Sequence, residues 1–187
     1  MASNTDHLRR VTLGHHARAI ALLPAMNTLV IPMAILILTH DFDSSPIAIA
    51  SLQSLVGLAG LSALAIGLGL VARSIAAFVR RGHGTLAPWD PTQVLVTDDV
   101  YGYCRNPMKL GLFLILIGES LALRSYALAT WCTLFMIVNV VYIRVSEEPG
   151  LRERFGAEYD NYCNRVPRWW PRISRHAKAS AHGSSPQ

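Results

Sequence analysis

Charged residues are scarce in this chain of 187 residues: they make up 16% of it, whereas hydrophobic residues make up 51%. Soluble domains of this size rarely show such a balance, so the composition favours a membrane protein. Residues 19–39 and 47–72 contain no charge at all. Each stretch meets the roughly 20 residues that a helix needs to cross the hydrocarbon core of a bilayer.

Cysteines are also few, and their spacing argues against two kinds of site. Cys104, Cys132 and Cys163 form no CxxC pair and no cluster with histidine. We therefore expect no metal site and no disulfide framework. The net charge of +5 comes without a basic patch interleaved with aromatic residues, so we expect no nucleic-acid partner either.

Two further apolar runs bring the predicted number of membrane spans to about four. Residues 110–123 are long enough only if their helix starts at Pro107, which suits the first helical position because its missing N–H would be unpaired there anyway. Residues 125–145 are long enough by themselves. The first span is too long for the apolar part of a signal peptide and lacks a small-residue cleavage site, so we expect it to be retained.

The distribution of positive charge predicts the orientation. All Lys and Arg residues except Arg124 lie before the first span, between the second and third, or from Arg144, at the end of the fourth, onward. The positive-inside rule therefore places both termini in the cytoplasm. We expect one domain over residues 1–173 and a disordered tail over 174–187, which is rich in small and polar residues.

A glycine-rich turn follows the second span, in the first of two polar cytoplasmic pieces. Gly82, His83 and Gly84 either let backbone N–H groups approach an anionic or nucleotide ligand, or form an ordinary turn after a long helix. Both interpretations stay open on this signal alone.

Paired acids mark the second polar piece. Arg144 precedes Glu147 and Glu148 by one helical turn. The carboxylates either pair with Arg144 at a solvated helix end or accept hydrogen bonds from a ligand's amino group or hydroxyls. Beyond Pro149, apolar residues at helical spacing predict an amphipathic helix on the membrane surface, and the tryptophans that follow it suit an interfacial anchor.

Two ordered motifs in these pieces carry a family resemblance. The stretch "YGYCRNPMKLG" precedes a short apolar hairpin, which is followed by "EEPGLRERFGAEYDNYCNRVPRWWP". Together with "GTLAPWDP" upstream, they resemble the integral membrane methyltransferases related to isoprenylcysteine carboxyl methyltransferase and phosphatidylethanolamine methyltransferase. The resemblance covers residues 82–171, about half of the chain.

The resemblance implies an all-α integral membrane enzyme that binds S-adenosylmethionine at its cytoplasmic face and has no Rossmann domain. It places one wall of the cofactor pocket at the Arg-Asn-Pro corner and the other at the acid pair, with a basic residue of the last segment closing it. The cofactor-binding candidates are His83, Gly84, Tyr103, Arg105, Asn106, Pro107, Gly111, Glu147, Glu148 and Arg165. The candidate catalytic residues are Arg105 and Arg144.

The acceptor is expected to be a lipid or another lipophilic or small molecule: a prenylcysteine carboxylate, a phospholipid amine or a thiol. Lys109 stands where the family's motif has tyrosine, and it either contacts the acceptor or extends to the membrane interface. Glu119, within the third span, is expected to be structural and hydrogen-bonded between helices, with Asn27 and Asn139 as partners. Two alternatives are a membrane reductase that uses NADPH and a binding module without catalysis.

Overall fold

The computed structural model describes residues 24–41, 52–81 and 94–170, and its regular structure in those ranges is helical throughout. The helices are α1 (Ile31–Thr39), α2 (Leu52–Arg81), α3 (Pro107–Ala122), α4 (Tyr126–Tyr142), α5 (Glu148–Phe155) and α6 (Ala157–Arg165). A π-helical turn, Met26–Val30, leads into α1, and another, Ile143–Glu147, joins α4 to α5. The all-α class predicted from the sequence is therefore confirmed for the described residues.

Within the described ranges, two stretches of helix are long and apolar enough to cross a membrane. They are Ser54–Ala77, of 24 residues, and Tyr126–Phe155, of 30 residues. The helical stretch Met26–Thr39 is apolar but shorter, and α3 has 16 residues. Large apolar side chains on these helices face outward, as hydrocarbon requires: Leu38 is 81% exposed and Ile66 is 62% exposed.

Glycines let α2 and α3 pack as close antiparallel neighbours. A Cβ placed on Gly67 would lie 2.7 Å from the carbonyl oxygen of Gly111, and one on Gly118 would lie 2.6 Å from that of Gly60. Any larger residue would push the helices apart, so the contact depends on these four glycines. Since Gly111 follows Pro107 by one turn, the same contact holds the start of α3 in place.

The turn between α3 and α4 is fastened by a helix cap. The Ser125 hydroxyl oxygen accepts a hydrogen bond from the N–H of Leu128 at 3.1 Å. Asp41, just beyond α1, accepts from the N–H of Ala127 at 2.7 Å and from the Ser125 hydroxyl at 3.1 Å. Because a carboxylate is favoured at a helix N-terminus, Asp41 ties the end of α1 to the start of α4.

Glu119 does not bond Asn139, one of the two partners that the sequence predicts for it. Asn139 donates instead to the carbonyl oxygen of Phe135, one turn earlier in its own helix, at 2.8 Å. The Oε2 atom of Glu119 is buried and has no hydrogen-bond partner in the described part of the chain. An amide side chain on a helix can bond the backbone of its own preceding turn, as Asn139 does here.

The predicted amphipathic helix beyond Pro149 is two helices in the structure. Gly156, with a φ of 51°, separates α5 from α6. Tyr159 and Tyr162 on α6 pack inward against Leu95 rather than lying on an outer face, and the Tyr162 hydroxyl donates to the Tyr101 carbonyl oxygen at 2.8 Å. Burial raises the pKa of the Tyr159 and Tyr162 hydroxyls well above the usual value for tyrosine.

Candidate functional site

The start of α3 is enclosed by the chain segment that follows α6. This 166–170 segment runs past the Arg-Asn-Pro corner: the N–H of Arg105 donates to the Pro167 carbonyl oxygen at 3.0 Å. The Asn106 amide and the Cys104 thiol both donate to the Arg168 carbonyl oxygen, at 3.4 and 3.3 Å. The corner is therefore held by backbone of a segment some sixty residues later in the chain.

A ring contact extends this enclosure along α3. The rings of Phe113 and Trp169 are 5.5 Å apart between centroids. Trp170, next in the chain, is 85% exposed. Of the two tryptophans assigned to an interfacial anchor, one therefore packs on the protein and the other faces outward.

Glu148 is the centre of a buried ion cluster. Its Oε1 atom lies 3.1 Å from Arg105 Nη1 and 2.8 Å from Arg168 Nε, and its Oε2 atom lies 2.5 Å from Arg168 Nη2. The Glu148 side chain is only 7% exposed. Such burial is tolerated because the carboxylate is bonded to two guanidinium groups. The hydrogen bond to Glu148 in turn raises the pKa of Arg168.

Glu147 pairs with a different cation. Lys109 Nζ lies 2.8 Å from Glu147 Oε2 and 5.0 Å from the centre of the Tyr142 ring. Glu147 is the last residue of the π-helical turn, and Glu148 is the first residue of α5. Glu147 thus pairs with Lys109 on the first turn of α3. Glu148 pairs with Arg105 in the preceding corner and with Arg168.

Arg105 retains an unused donor inside the cluster. Its Nη1 atom also lies 2.8 Å from the sulfur of Cys163, on α6. Its Nε atom is buried and has no hydrogen-bond partner among the described residues. A buried N–H without a partner is costly, and an oxygen of a bound carboxylate would satisfy it. The Arg105 donor suits an anionic group of a ligand, and the carboxylates of Glu147 and Glu148 suit hydrogen-bond donors of the same ligand.

The two motifs paired by the resemblance thus meet in the structure. Arg105 and Asn106 come from the corner, while Glu147 and Glu148 return after the α3–α4 hairpin. Pro107 is the first residue of α3 and is buried. The start of α3 therefore lies beside the two acids.

The remaining candidate residues lie elsewhere. Tyr103 is 46% exposed, and Gly111 faces Gly67 of α2. Arg144 is exposed and pairs with neither acid in the described part of the chain; the acids take the other partners named above. His83 and Gly84 lie outside the described residues.

Arg165 is not the basic residue that reaches the acids. It is exposed, and its Nε atom donates to the Asn161 carbonyl oxygen in its own helix at 3.3 Å. Sequence reasoning missed Arg168, which binds Glu148. Pro167 was the signal that could have found it: a proline ends the helix, so the residues after it leave the helix axis and can return to the corner.

Cys104 stays protonated in this setting. Burial raises the pKa of its thiol, and its hydrogen bond to the Arg168 carbonyl oxygen uses the proton. The cluster therefore contains three cations and two carboxylates, with a neutral thiol beside them. Such a site can bind and orient a zwitterionic ligand but supplies no thiolate nucleophile of its own at this position.

Comparison with known proteins finds related sequences over the same region. A family model described as phospholipid methyltransferase matches residues 55–158. The chain is 29% identical over 143 residues to the protein-S-isoprenylcysteine O-methyltransferase of Rattus norvegicus, covering 71% of this chain and 48% of that protein. It is 30% identical over 80 residues to the protein of the same name from Schizosaccharomyces pombe, covering 43% of this chain and 34% of that protein. The chain spans less than half the length of both relatives.

Proposed function

The chain belongs to the phospholipid methyltransferase family, and from that premise we propose that it is a membrane methyltransferase that uses S-adenosylmethionine. The observation that carries the proposal is the contact of Arg105 with Glu148, 3.1 Å apart, across the α3–α4 hairpin. It unites the two family motifs in one buried cluster beside apolar helices. The two long apolar helices support a membrane location.

The residues of the cluster suit the polar groups of this cofactor. Glu147 and Glu148 would accept hydrogen bonds from its ammonium group or ribose hydroxyls, while Arg105 Nε and the Asn106 amide would donate to its carboxylate. When bound, the cofactor supplies an electrophilic methyl group on a sulfonium. No metal is needed for this chemistry, since the acceptor's own lone pair forms the new bond.

The chain's own contribution is alignment and exclusion of water. The 166–170 segment covers the corner, because its backbone carbonyl oxygens accept hydrogen bonds from the Arg105 N–H and the Asn106 side-chain amide. The Trp169 ring packs on Phe113. Such a closed site holds a donor and an acceptor at reacting distance and strips water from the attacking group. The protonated Cys104 thiol does not compete with the acceptor as a nucleophile.

The finer assignments belong to the same proposal. We place four spans in the membrane, with both termini and the ion cluster on the cytoplasmic side. A lipophilic acceptor would then reach the site between helices, and a polar cofactor would reach it from water. Prenylcysteine carboxylates, phospholipid amines and thiols are the acceptor classes to test.

Two measurements on the purified full chain in lipid nanodiscs test the proposal. Calorimetric titration with S-adenosylhomocysteine should show saturable binding, and labelled methyl groups should pass from S-adenosylmethionine into a lipid or small-molecule fraction. Folded protein that binds no cofactor contradicts the proposal. Binding without transfer to any fraction would favour a binding module, and oxidation of reduced nicotinamide with a lipid acceptor would favour a reductase.

A further inference from the structure

Lys109 is the least expected member of the ion cluster, and its contacts give it a definite role. Its ammonium group lies 2.8 Å from Glu147 Oε2 and 5.0 Å from the centre of the Tyr142 ring. The lysine side chain is 20% exposed and the glutamate side chain 34% exposed. The lysine therefore turns toward the acid pair and does not extend to the membrane interface.

Lys109 also joins two elements whose relative position defines the site. It lies in the first turn of α3, whereas Tyr142 is the last residue of α4 and Glu147 ends the π-helical turn that follows. One ammonium group therefore contacts both ends of that turn. Turns of this kind inside helices are frequent at functional sites, and here the lysine fixes the orientation of the Glu147 carboxylate.

The charge of the pair determines what Glu147 can do. A free carboxylate beside Glu148 would attract a cationic ligand, whereas a carboxylate paired at 2.8 Å has most of its field cancelled. Glu148 is already bonded to Arg105 and Arg168. The acid pair as built thus presents little net negative charge to a bound cation.

We propose that Lys109 is a specificity residue that reduces the preference of this site for a sulfonium cation over the neutral thioether that remains when the methyl group has been transferred. The inference rests on the proposed function and names a property of the same site. Transfer of a methyl group breaks the carbon–sulfur bond and leaves its electron pair on sulfur, while the acceptor's nucleophile forms the new bond. The cationic donor and the neutral product therefore differ at the reacting end by one methyl group and one charge.

The change in the ratio of the two dissociation constants, when a charge of the protein is altered, reports on that charge. Contacts to the shared parts of the two ligands cancel in the ratio of the constant for S-adenosylhomocysteine to that for S-adenosylmethionine. Replacement of Lys109 by Met leaves Glu147 unpaired, which favours the sulfonium. The ratio should therefore rise on the order of fivefold at low salt. Replacement of Glu147 by Gln leaves the lysine charge unpaired, so the ratio should move the other way by a similar factor.

Matched variants separate charge from structure. Lys109→Arg keeps the charge and should keep the ratio within about twofold, even if its geometry changes both constants. Arg73 lies outside the cluster and pairs with Asp99 at 2.7 Å, with its side chain 68% exposed. Arg73→Met removes that ion pair and should leave the ratio unchanged. Thermal unfolding of each variant checks that it is folded.

Calorimetric titration of both ligands into the full chain, at low and at high salt, measures the ratio without any acceptor. Opposite shifts in Lys109→Met and Glu147→Gln, smaller at high salt, support the inference. Equal ratios in the wild type and both variants overturn it while leaving the proposed function standing. Failure of the folded wild type to bind either ligand overturns the proposed function itself.

Discussion

The α3–α4 hairpin carries polar side chains at both ends, and the two ends use them differently. At the motif end, the carboxylates of Glu147 and Glu148 are bonded to cations from α3, the preceding corner and the 166–170 segment. At the turn end, the Asp41 carboxylate is bonded to the backbone of α4 and to the Ser125 hydroxyl. One end holds a network of ion pairs drawn from several segments, and at the other a carboxylate caps a helix.

Each end also contains one buried polar atom without a partner among the described residues. At the motif end it is Arg105 Nε, within a cluster of charges, and at the turn end it is Glu119 Oε2, between apolar helices. A donor surrounded by other oriented donors and acceptors suits a polar ligand. Glu119, by contrast, belongs to none of the ion pairs that form the cluster. The candidate site is therefore distinguished by the meeting of polar side chains from several chain segments, and not by the presence of one buried polar atom.

The largest effect is expected from Glu148→Gln. Among the described residues, the change removes the only carboxylate bonded to both Arg105 and Arg168, so the two guanidinium groups lose their shared counter-charge. Loss of one partner from a buried ion cluster costs about 3–5 kcal/mol. Binding of S-adenosylhomocysteine should fall below detection in calorimetry, and the unfolding temperature should drop.

The same substitution at the turn end is the control. Glu119→Gln should leave cofactor binding unchanged, because Glu119 lies near the other end of α3. Equal loss of binding in both variants would contradict the distinction between the ends.

The glycine contacts provide the second test, since one lies toward each end. Gly111→Ala and Gly118→Ala each place a methyl group under 3 Å from the backbone of α2, and overpacking of this kind costs about 1–3 kcal/mol. Both should lower the unfolding temperature. Only Gly111→Ala should also weaken S-adenosylhomocysteine binding, because Gly111 lies one turn from the corner.

Gly69→Ala is the matched control for both glycine variants. It lies on α2, the helix that Gly111 and Gly118 contact, and a Cβ there meets no described atom within 4 Å. It should be neutral or slightly stabilising, since alanine favours a helix more than glycine does. A cost equal to that of Gly111→Ala would show that the close helix contact is not the cause.

The third test compares two arginines of one short segment. Arg168→Met removes the two guanidinium hydrogen bonds to Glu148 and should weaken S-adenosylhomocysteine binding on the order of tenfold, as expected for charge-assisted bonds. Arg165→Met removes only a bond to the Asn161 carbonyl oxygen and should leave binding unchanged. Calorimetry on both variants decides between the residue assigned by resemblance and the residue that reaches the acid.

These two arginines show where sequence reasoning ends. The family resemblance implied that Arg105 and the acids meet, and the short hairpin between the two motifs allows it, because a hairpin returns the chain to its starting level. The choice between Arg165 and Arg168 depended on where α6 ends, and helix ends vary by one or two residues in any sequence pattern. That small shift decides which side chain faces solvent and which faces Glu148.

The partners of the acids were hidden for a similar reason. Arg144 precedes Glu147 and Glu148 by one turn, so a regular helix favours that local pairing. The intervening π-helical turn changes the register, and cations from α3 and the 166–170 segment reach the acids instead. The glycines of α2 and α3, by contrast, recur seven residues apart on each helix, and that pattern could have indicated their contact. The roles of His83 and Gly84 stay predictions.

The smallest effect is expected at the helix cap of the turn end. Ser125→Ala removes the hydroxyl that accepts from the Leu128 N–H and donates to Asp41, and loss of a helix cap costs about 1 kcal/mol. Thr133→Ala is the control, since its hydroxyl donates to the Ala129 carbonyl oxygen on an exposed face of the same helix. Thermal unfolding should show a lower midpoint for Ser125→Ala than for Thr133→Ala, with S-adenosylhomocysteine binding equal in both. A binding defect in Ser125→Ala would mean that the turn end shares in the site, because a cap alone acts only within the first turn of its helix.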